Sequence, residues 1–572
     1  MQISQMDNKN QGFSISKKQA FFFWLMILII FVLLSNYFYY QPDDSFIGHQ
    51  ISRNIANGNG FSLNKGEILN ISTSPLYIII NTIPHFFNID PVQFANLYNF
   101  LLGLIIIIFT YRLSLILSDS KFISALSVII MVAYSTITIW TFSGMETFTI
   151  TLIHLMTFYC FLKNKTILWT AFIPVTVFIR PDAVLIGISI FLYCLFSHTL
   201  QKNDDKNNMI KVVLITIMSG LLFFFINSLL FEEVLPTSYY VKRVVSFDSF
   251  LFHIKKGIQY LLAFILGHKL FALALLFPFV YWPIGMLSLK NRQLIFRLPR
   301  ISDLGHYFKH SDIRFLVLYL FILVHAFYLI YVGGDWMMGF RFLIPITPEL
   351  SILIAMIIGS ITIRLTDDVN RDKILKVGLS LYLLMFFALG LYNRILSPIL
   401  AWPNFKYSYE SRRSMIEIGH WLKENVDPST TLAIYAVGAV KYYSELYIID
   451  MGGLSTKYLS KNGKRDFLAI GHEIWDMEYV LSRTPDIIWF GVYGKDNGQV
   501  PIKKNEYLDL DNRSNQRHFF ATEEKEISPL NKKFVQLYEP RSVKMDTDTR
   551  FKYFNFYILR DRTGKILNQQ KM

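Results

Sequence analysis

Long apolar runs broken by short polar connections fill roughly the first four hundred residues of this chain, and shorter alternating segments follow. A helix needs about 17 to 25 apolar residues to cross a bilayer. On that criterion spans are predicted at Phe21–Phe38, Ala95–Leu117, Phe122–Phe142, Thr147–Leu162, Thr166–Ile179, Ala183–His198, Ile210–Phe231, Leu270–Leu289, Ile313–Val332, Phe342–Ile363 and Ile374–Leu396, about eleven in all. Ile258–Leu266 is too short to cross and reads as a re-entrant or interfacial piece.

The tail has a different texture. Glu410–Asn425 places Met415, Ile418, Trp421 and Leu422 at helical spacing. Thr431–Tyr435, Leu446–Asp450, Ile487–Phe490, Phe534–Tyr538 and Tyr553–Leu559 read as strands. The expected organisation is a multi-span α-helical domain over 1–402, followed by a soluble α/β domain over 403–572.

Composition agrees: 53% of the 572 residues are apolar, 16% aromatic and 17% charged. The net charge of +14 does not indicate nucleic acid, because the basic residues sit beside apolar runs rather than in one solvated patch. They orient the chain instead. With Lys17 and Lys18 inside, each inside connection carries Lys or Arg, from Arg112 and Lys121 to Arg371, Lys373 and Lys376. The polar segment Met1–Ala20 precedes an uncleaved first span, with Tyr37–Tyr40 as an aromatic belt where a cleavage site would lie. An odd span count puts Asp43, Asp44 and the tail on the non-cytoplasmic side. Cys160 and Cys194 fall within spans, which argues against a structural disulfide.

Chemistry-bearing residues collect in the connections on that same side. Asp43 and Asp44 follow the first span directly, and paired carboxylates at a bilayer rim resist joint ionisation, so a functional site competes with a solvated loop start. Ser143–Glu146 is a tight turn with one acid, and Arg180–Asp182 another with both charges. The segment 232–256 carries Tyr239, Lys242 and Arg243, and Gly333–Arg341 carries Asp335 and Arg341. Taken singly, Arg180 and Arg341 read as headgroup anchors and the glycines as turn formers; taken together they describe a cavity. There is no nucleotide-binding loop, no zinc-ligand spacing and no nucleophile elbow, which leaves carboxylates and cations to do the chemistry.

The order of these motifs carries a resemblance. Asp43-Asp44-Ser45-Phe46-Ile47, Arg53 through Phe61, Asn64–Glu67 and Thr73–Leu76 resemble the first outer loop of the GT-C superfamily of membrane glycosyltransferases. Ser143–Thr147, Arg180–Asp182, Gly333–Trp336 with Arg341-Phe342, Ile418–Leu422, Gly438-Ala439, Tyr442–Ser444 and Ile449–Leu454 follow in the same order, most similar to the terminal arabinofuranosyltransferase branch. The resemblance implies transfer of a sugar from a polyprenyl-phosphate donor to a cell-envelope glycan, lipid or protein acceptor at the outer face of a bacterial inner membrane. It implies Asp43 as general base, with Asp44 orienting it or binding the sugar. Arg341, Lys242 and Arg243, then Arg53 and Arg180, would meet the donor phosphate; Glu146, Asp182, Asp335 and Tyr239 would bind sugar hydroxyls, or the acids would form structural ion pairs. No metal ligands are assigned, and a divalent cation beside the paired aspartates stays open. The competing class is a transporter or flippase of lipid-linked saccharides, which would carry charges near helix centres or repeated halves with broken helices.

Overall fold

The computed structural model describes residues 16–202, 205–277, 288–290, 293–295, 313–365, 402–465, 471–491, 498–511, 518–520 and 527–562. The chain falls into two compact units. One comprises Met1–Tyr40, Asn96–Phe223 and His253–Trp402; the other comprises Gln41–Ala95, Phe224–Phe252 and Pro403–Met572.

The first is a helical unit of an integral membrane protein. Among the described residues, Lys17–Tyr37, Pro91–Ser118, Pro181–Thr199, Lys206–Phe231, Phe247–Gly267 and Arg341–Thr362 are long and apolar enough to cross a bilayer. Lys121–Ala133, Thr147–Leu162, Thr166–Ile179 and Leu316–Val332 are shorter apolar helices. In the Arg341–Thr362 segment 89% of the apolar stretch is buried, against 17% in Lys17–Tyr37, so the former is walled by protein and the latter turns its side chains outward. Close backbone approach uses small residues: a Cβ on Gly257 would lie 2.5 Å from the Ile330 carbonyl oxygen, and one on Gly359 would lie 2.5 Å from Ile123.

Several boundaries differ from the hydropathy reading. Phe122–Phe142 is broken at Tyr134, between helices Lys121–Ala133 and Ser135–Trp140. Ile258–Leu266 is the end of one 21-residue helix, Phe247–Gly267, whose Asp248, Lys255 and Lys256 interrupt the apolar run without interrupting the helix. Of Leu270–Leu289, the described parts are the turn Lys269–Phe271, the helix Ala272–Leu275 and strand β1 (Ser288–Lys290), which pairs antiparallel with β2 (Gln293–Ile295). The segment Ile374–Leu396 lies outside the described residues.

The second unit is built on a five-stranded sheet. Its strands are β3 (Thr431–Ile434), β4 (Tyr447–Asp450), β5 (Ile487–Trp489), β8 (Tyr538–Lys544) and β9 (Tyr553–Leu559), in the order β4-β3-β5-β9-β8. β3 runs parallel to β4 and β5, and β9 antiparallel to β5 and β8. β6 (Glu506–Leu508) and β7 (His518–Phe520) form a separate antiparallel pair.

Side chains alternate across a strand, and both faces of this sheet are covered. Leu432, Ile434, Ile448, Ile487, Trp489, Phe556 and Ile558 face a core that includes Met415, Ile418 and Leu422 of helix Trp402–Asn425 and Phe46, Ile47 and Ile51 of helix Asp43–Ala56. Ala433, Ile449, Ile488 and Tyr557 face the opposite core, with Met477, Val480, Leu481 and Phe534. Residues 41–95 and 224–252, read from sequence as part of the first domain and mostly as its connections, therefore cluster with the compact unit of the tail. Phe534–Tyr538, read as a strand, is mostly helix: Ser528 caps the Asn531 amide at 3.1 Å, Pro529 opens helix Pro529–Leu537, and the strand starts at Tyr538.

Edge strand β4 is covered by a side chain. The Asn64 amide accepts from Ile448 N at 3.0 Å and donates to Ile448 O at 2.8 Å, which occupies the ladder groups that would otherwise recruit another strand.

Candidate functional site

In the helical unit, three of the connections singled out by sequence come together. Gly144, at φ +65°, makes the tight turn before helix Thr147–Leu162 and leaves Glu146 at the cap. Arg180 precedes Pro181, which excludes the helical conformation and holds it extended at φ −155°, ψ 127°. Its guanidinium binds Asp182 through two bonds of 2.9 and 2.8 Å and Glu146 through a third of 3.0 Å. One guanidinium thus serves two acidic side chains in a nearly buried cluster.

The Gly333–Arg341 segment lies beside it. Gly334 and Gly339 have φ of +76° and +74°, and a Cβ would come within 2.6 Å of the Tyr260 side chain at the first and 2.9 Å of Trp140 Nε1 at the second. Trp140 Nε1 donates to the Gly339 carbonyl at 3.1 Å. Arg341, 5% exposed, makes a forked pair with Asp335 at 2.8 and 3.2 Å and reaches Met145 Sδ at 3.5 Å. Arg180 and Arg341 both approach the Phe342 ring, at 5.0 and 4.8 Å from its centroid. The predicted residues Glu146, Arg180, Asp182, Asp335 and Arg341 therefore form one neighbourhood, and each arginine is already paired with acid.

The remaining candidates lie in the sheet-bearing unit. Asp43 and Asp44 occupy the first turn of helix Asp43–Ala56, where the unpaired amides of the helix start favour negative charge. The Asp43 carboxylate also receives the amides of Gly438 at 2.9 Å and Ala439 at 2.8 Å, at the start of helix Ala439–Ser444. Burial pushes its pKa above the usual carboxylate value, opposed by those two amides and by the charge of Arg412. Arg53 is engaged within its own unit. It donates to the Tyr442 carbonyl at 2.9 Å, stacks over that ring at 3.8 Å and lies 3.7 Å from Glu445.

Tyr239 is 49% exposed on helix Thr237–Lys242, whose last residue, Lys242, is followed by Arg243. Arg465 binds the carbonyls of Tyr240 and Val241 and pairs with the buried Glu473 at 3.0 Å, while Arg243 acts on it as a like charge. Glu233, held by Lys461 at 2.5 Å and Lys457 at 3.1 Å, has its pKa lowered, first by the hydrogen bond from Lys461.

Two kinds of residue escaped the sequence reading. Glu349 is fully buried in the first turn of helix Thr347–Leu365, and among the described residues neither carboxylate oxygen has a hydrogen-bond partner. The signal was a lone acid following Thr347-Pro348 inside an apolar run. Asp450, at the end of β4, accepts from Gly452 N at 2.8 Å and Ser455 N at 2.7 Å, and its burial pushes the pKa up to about 6. Here the signal was an aspartate before paired glycines, which suits a tight turn. Among the described residues, no group of three or more His, Cys, Asp or Glu gathers as a metal ion would require, and both cysteines are free and buried.

Known proteins place the fold. A crystal structure of ArnT from Cupriavidus metallidurans bound to undecaprenyl phosphate superposes with a TM-score of 0.51 at 10% identity, covering 83% of this chain and 93% of that one. ArnT from the same organism in the apo state gives 0.50 at 11% identity, covering 82% and 92%. A family model described as a domain of unknown function, DUF8728, matches residues 403–544. A search of curated proteins returned no match.

Proposed function

From a GT-C-like multi-span fold with a β-containing tail, we propose that this chain is a glycosyltransferase that moves a sugar from a polyprenyl-phosphate donor to an acceptor at the outer face of a bacterial inner membrane. The observation that carries this reading is the Asp43–Asp44 pair, which opens a helix shortly after the first apolar helix of such a fold. The ArnT structure that superposes was solved with undecaprenyl phosphate, which supports a lipid-phosphate donor.

An acceptor hydroxyl is a poor nucleophile at neutral pH. In the proposed reaction Asp43 takes its proton as the oxygen bonds to the anomeric carbon; the bond from that carbon to the phosphate oxygen breaks, and its electron pair leaves with the polyprenyl phosphate. A positioned carboxylate contributes about 10²- to 10⁴-fold in such a step. The amides of Gly438 and Ala439 occupy one lone pair on each Asp43 oxygen, and each oxygen has a second. Asp44 orients the base or binds the sugar.

Cations stabilise the charge that develops on the leaving phosphate. Lys242 and Arg243, at the end of helix Thr237–Lys242, are proposed for this role ahead of Arg53, whose guanidinium already serves Tyr442 and Glu445. Arg341 and Arg180 enter the proposal as cations already paired with acid, and Asp335, Glu146 and Asp182 are proposed to hydrogen-bond sugar hydroxyls; Tyr239 is proposed separately for the same kind of contact. Donors of the arabinofuranosyl type head the substrates to try.

A lipid-linked-saccharide carrier is the second reading, favoured by the buried acid Glu349. The other acids and bases collect in the connections rather than along the spans, which leaves the carrier behind the enzyme.

The test uses the purified full-length protein, a panel of polyprenyl-phosphate sugars and acceptor glycans, and the variant Asp43→Asn. Transfer from at least one donor, reduced about 10²- to 10⁴-fold in the variant, is expected. No transfer from any donor, or an unimpaired variant, would overturn the reading.

A further inference from the structure

The sheet-bearing unit holds an open cleft of about 290 Å³ alongside β4, lined in part by Glu67, Tyr447, Lys457, Tyr458, Tyr479 and Arg483. All of these residues lie within that one unit. Its walls come from three places: the 64–69 segment, the end of β4 with the turn that Asp450 holds, and helices Lys457–Asn462 and Met477–Ser482.

The chemistry of the lining is specific in kind. Tyr458 and Tyr479 stack with centroids 4.5 Å apart and ring planes 12° from parallel. Stacking fixes Tyr458 while leaving it 50% exposed, so a rigid aromatic face stays available to a ligand. Around it stand an acceptor and two donors. Glu67 is held in place by the Tyr447 hydroxyl on one oxygen and by the Asn64 amide at 3.1 Å on the other, and each oxygen keeps a further lone pair. Arg483 follows helix Met477–Ser482, and Lys457 is steadied by Glu233 at 3.1 Å.

An aromatic face meets the axial C–H groups of a sugar ring, while fixed carboxylate, guanidinium and ammonium groups meet its hydroxyls. A nucleic-acid base would stack equally well, but the cleft lacks the run of cations that tracks a phosphate backbone. A purely lipid ligand would offer no hydrogen bond to the remaining donor and acceptor capacity of Glu67, Lys457 and Arg483 while desolvating them.

We propose that this cleft binds a sugar residue of the acceptor glycan, with the exposed face of Tyr458 as its platform and Glu67, Lys457 and Arg483 as its polar partners. The proposal rests on the glycosyltransferase reading for the word acceptor, but the cleft's affinity for carbohydrate is separable from it. Bound there, a glycan chain is held by the tail while its growing end is free to react, so the site governs acceptor affinity rather than the chemical step.

The test is binding of the full-length detergent-solubilised protein to an array of neutral and uronic-acid-containing envelope oligosaccharides, alongside the variants Tyr458→Ala, Arg483→Gln and, as a control elsewhere in the same unit, Tyr409→Ala. Saturable binding by the parent, weakened tenfold or more in Tyr458→Ala and Arg483→Gln and unchanged in Tyr409→Ala, is expected. Thermal unfolding of each variant confirms that it is folded; Tyr458 and Arg483 are both exposed, so truncation leaves no cavity. A parent that binds no oligosaccharide, or folded variants that bind as the parent does, overturns the proposal. Transfer assayed on the same samples separates the two readings. Carbohydrate binding without transfer sinks the enzyme and leaves the cleft; transfer with an unchanged acceptor KM in Tyr458→Ala sinks the cleft and leaves the enzyme.

Discussion

Gly438 meets Asp43 so closely that a Cβ added to Gly438 would stand 1.9 Å from the Asp43 carbonyl oxygen, while the Gly438 amide donates to the Asp43 carboxylate at 2.9 Å. The start of helix Asp43–Ala56 and the start of helix Ala439–Ser444 are thereby locked together across almost four hundred residues of sequence. An acid expected for its chemistry is also a structural clasp.

Gly438→Ala tests the clasp without touching the carboxylate. The obstructing atoms are backbone, so the two helix starts must separate. The expected result is a lower thermal midpoint together with a loss of transfer at least as large as in Asp43→Asn. Unchanged stability in Gly438→Ala would show that the two segments part without cost.

Removing Arg180 leaves Glu146 and Asp182 facing one another without their cation. Breaking a buried pair in this way costs about 3–5 kcal/mol, so Arg180→Leu is expected to fold poorly and Arg180→Lys to recover only part of the yield, because an ammonium cannot reproduce the forked bonds to Asp182. Detergent-phase thermal unfolding and monodisperse yield read this directly. A fully stable Arg180→Leu would mean that the two acids find other partners.

His49 lies in the core of the sheet-bearing unit between Phe46 and Tyr442, 1% exposed, and among the described residues neither ring nitrogen has a partner. Burial, reinforced by His85 and Arg53, lowers its pKa from 6.5 to about 3. The folded state therefore refuses a proton that the unfolded chain accepts. Stability from this group is complete above pH 6.5 and falls by about 1.4 kcal/mol per pH unit between there and the folded value. Relative to His49→Phe, the parent should lose thermal stability between pH 7 and pH 5 by about 2 kcal/mol. Asp450, with its pKa raised, acts in the opposite sense and loses stabilisation as pH rises through about 6, which is why the difference between parent and variant is the quantity to follow. A difference that does not change with pH would place His49 in contact with water.

Glu349 carries a desolvation cost with no hydrogen bond to offset it among the described residues. Glu349→Met keeps the volume and removes the polar head, so the thermal midpoint should rise, by the equivalent of about 1–3 kcal/mol. Unchanged transfer in the stabilised variant would make the acid a structural oddity, whereas a stabilised protein that no longer transfers would mark Glu349 as retained for function.

The chain's apolar runs determined a great deal unaided. A span is a local property, because twenty apolar residues must leave water wherever they occur, and most of the expected spans recur as helices. The tail's β3, β4, β5 and β9 were equally legible from short apolar runs bounded by turn residues. Phe247–Gly267 was missed because three charges lowered its hydropathy without breaking its backbone hydrogen bonds, and Phe534–Tyr538 was misread because its aromatic pattern outweighed the Ser528-Pro529 start signal.

Tertiary structure alone decided which side chains meet. That Asp43 clasps Gly438, that Arg180 joins Glu146 and that Glu67 meets Tyr447 depends on contacts between segments far apart in the chain, and such contacts leave no periodic trace in sequence. The acids and bases themselves could be read from the sequence; the partner each one found could not, because a charge's energy is set by its surroundings and those surroundings form only when the chain packs.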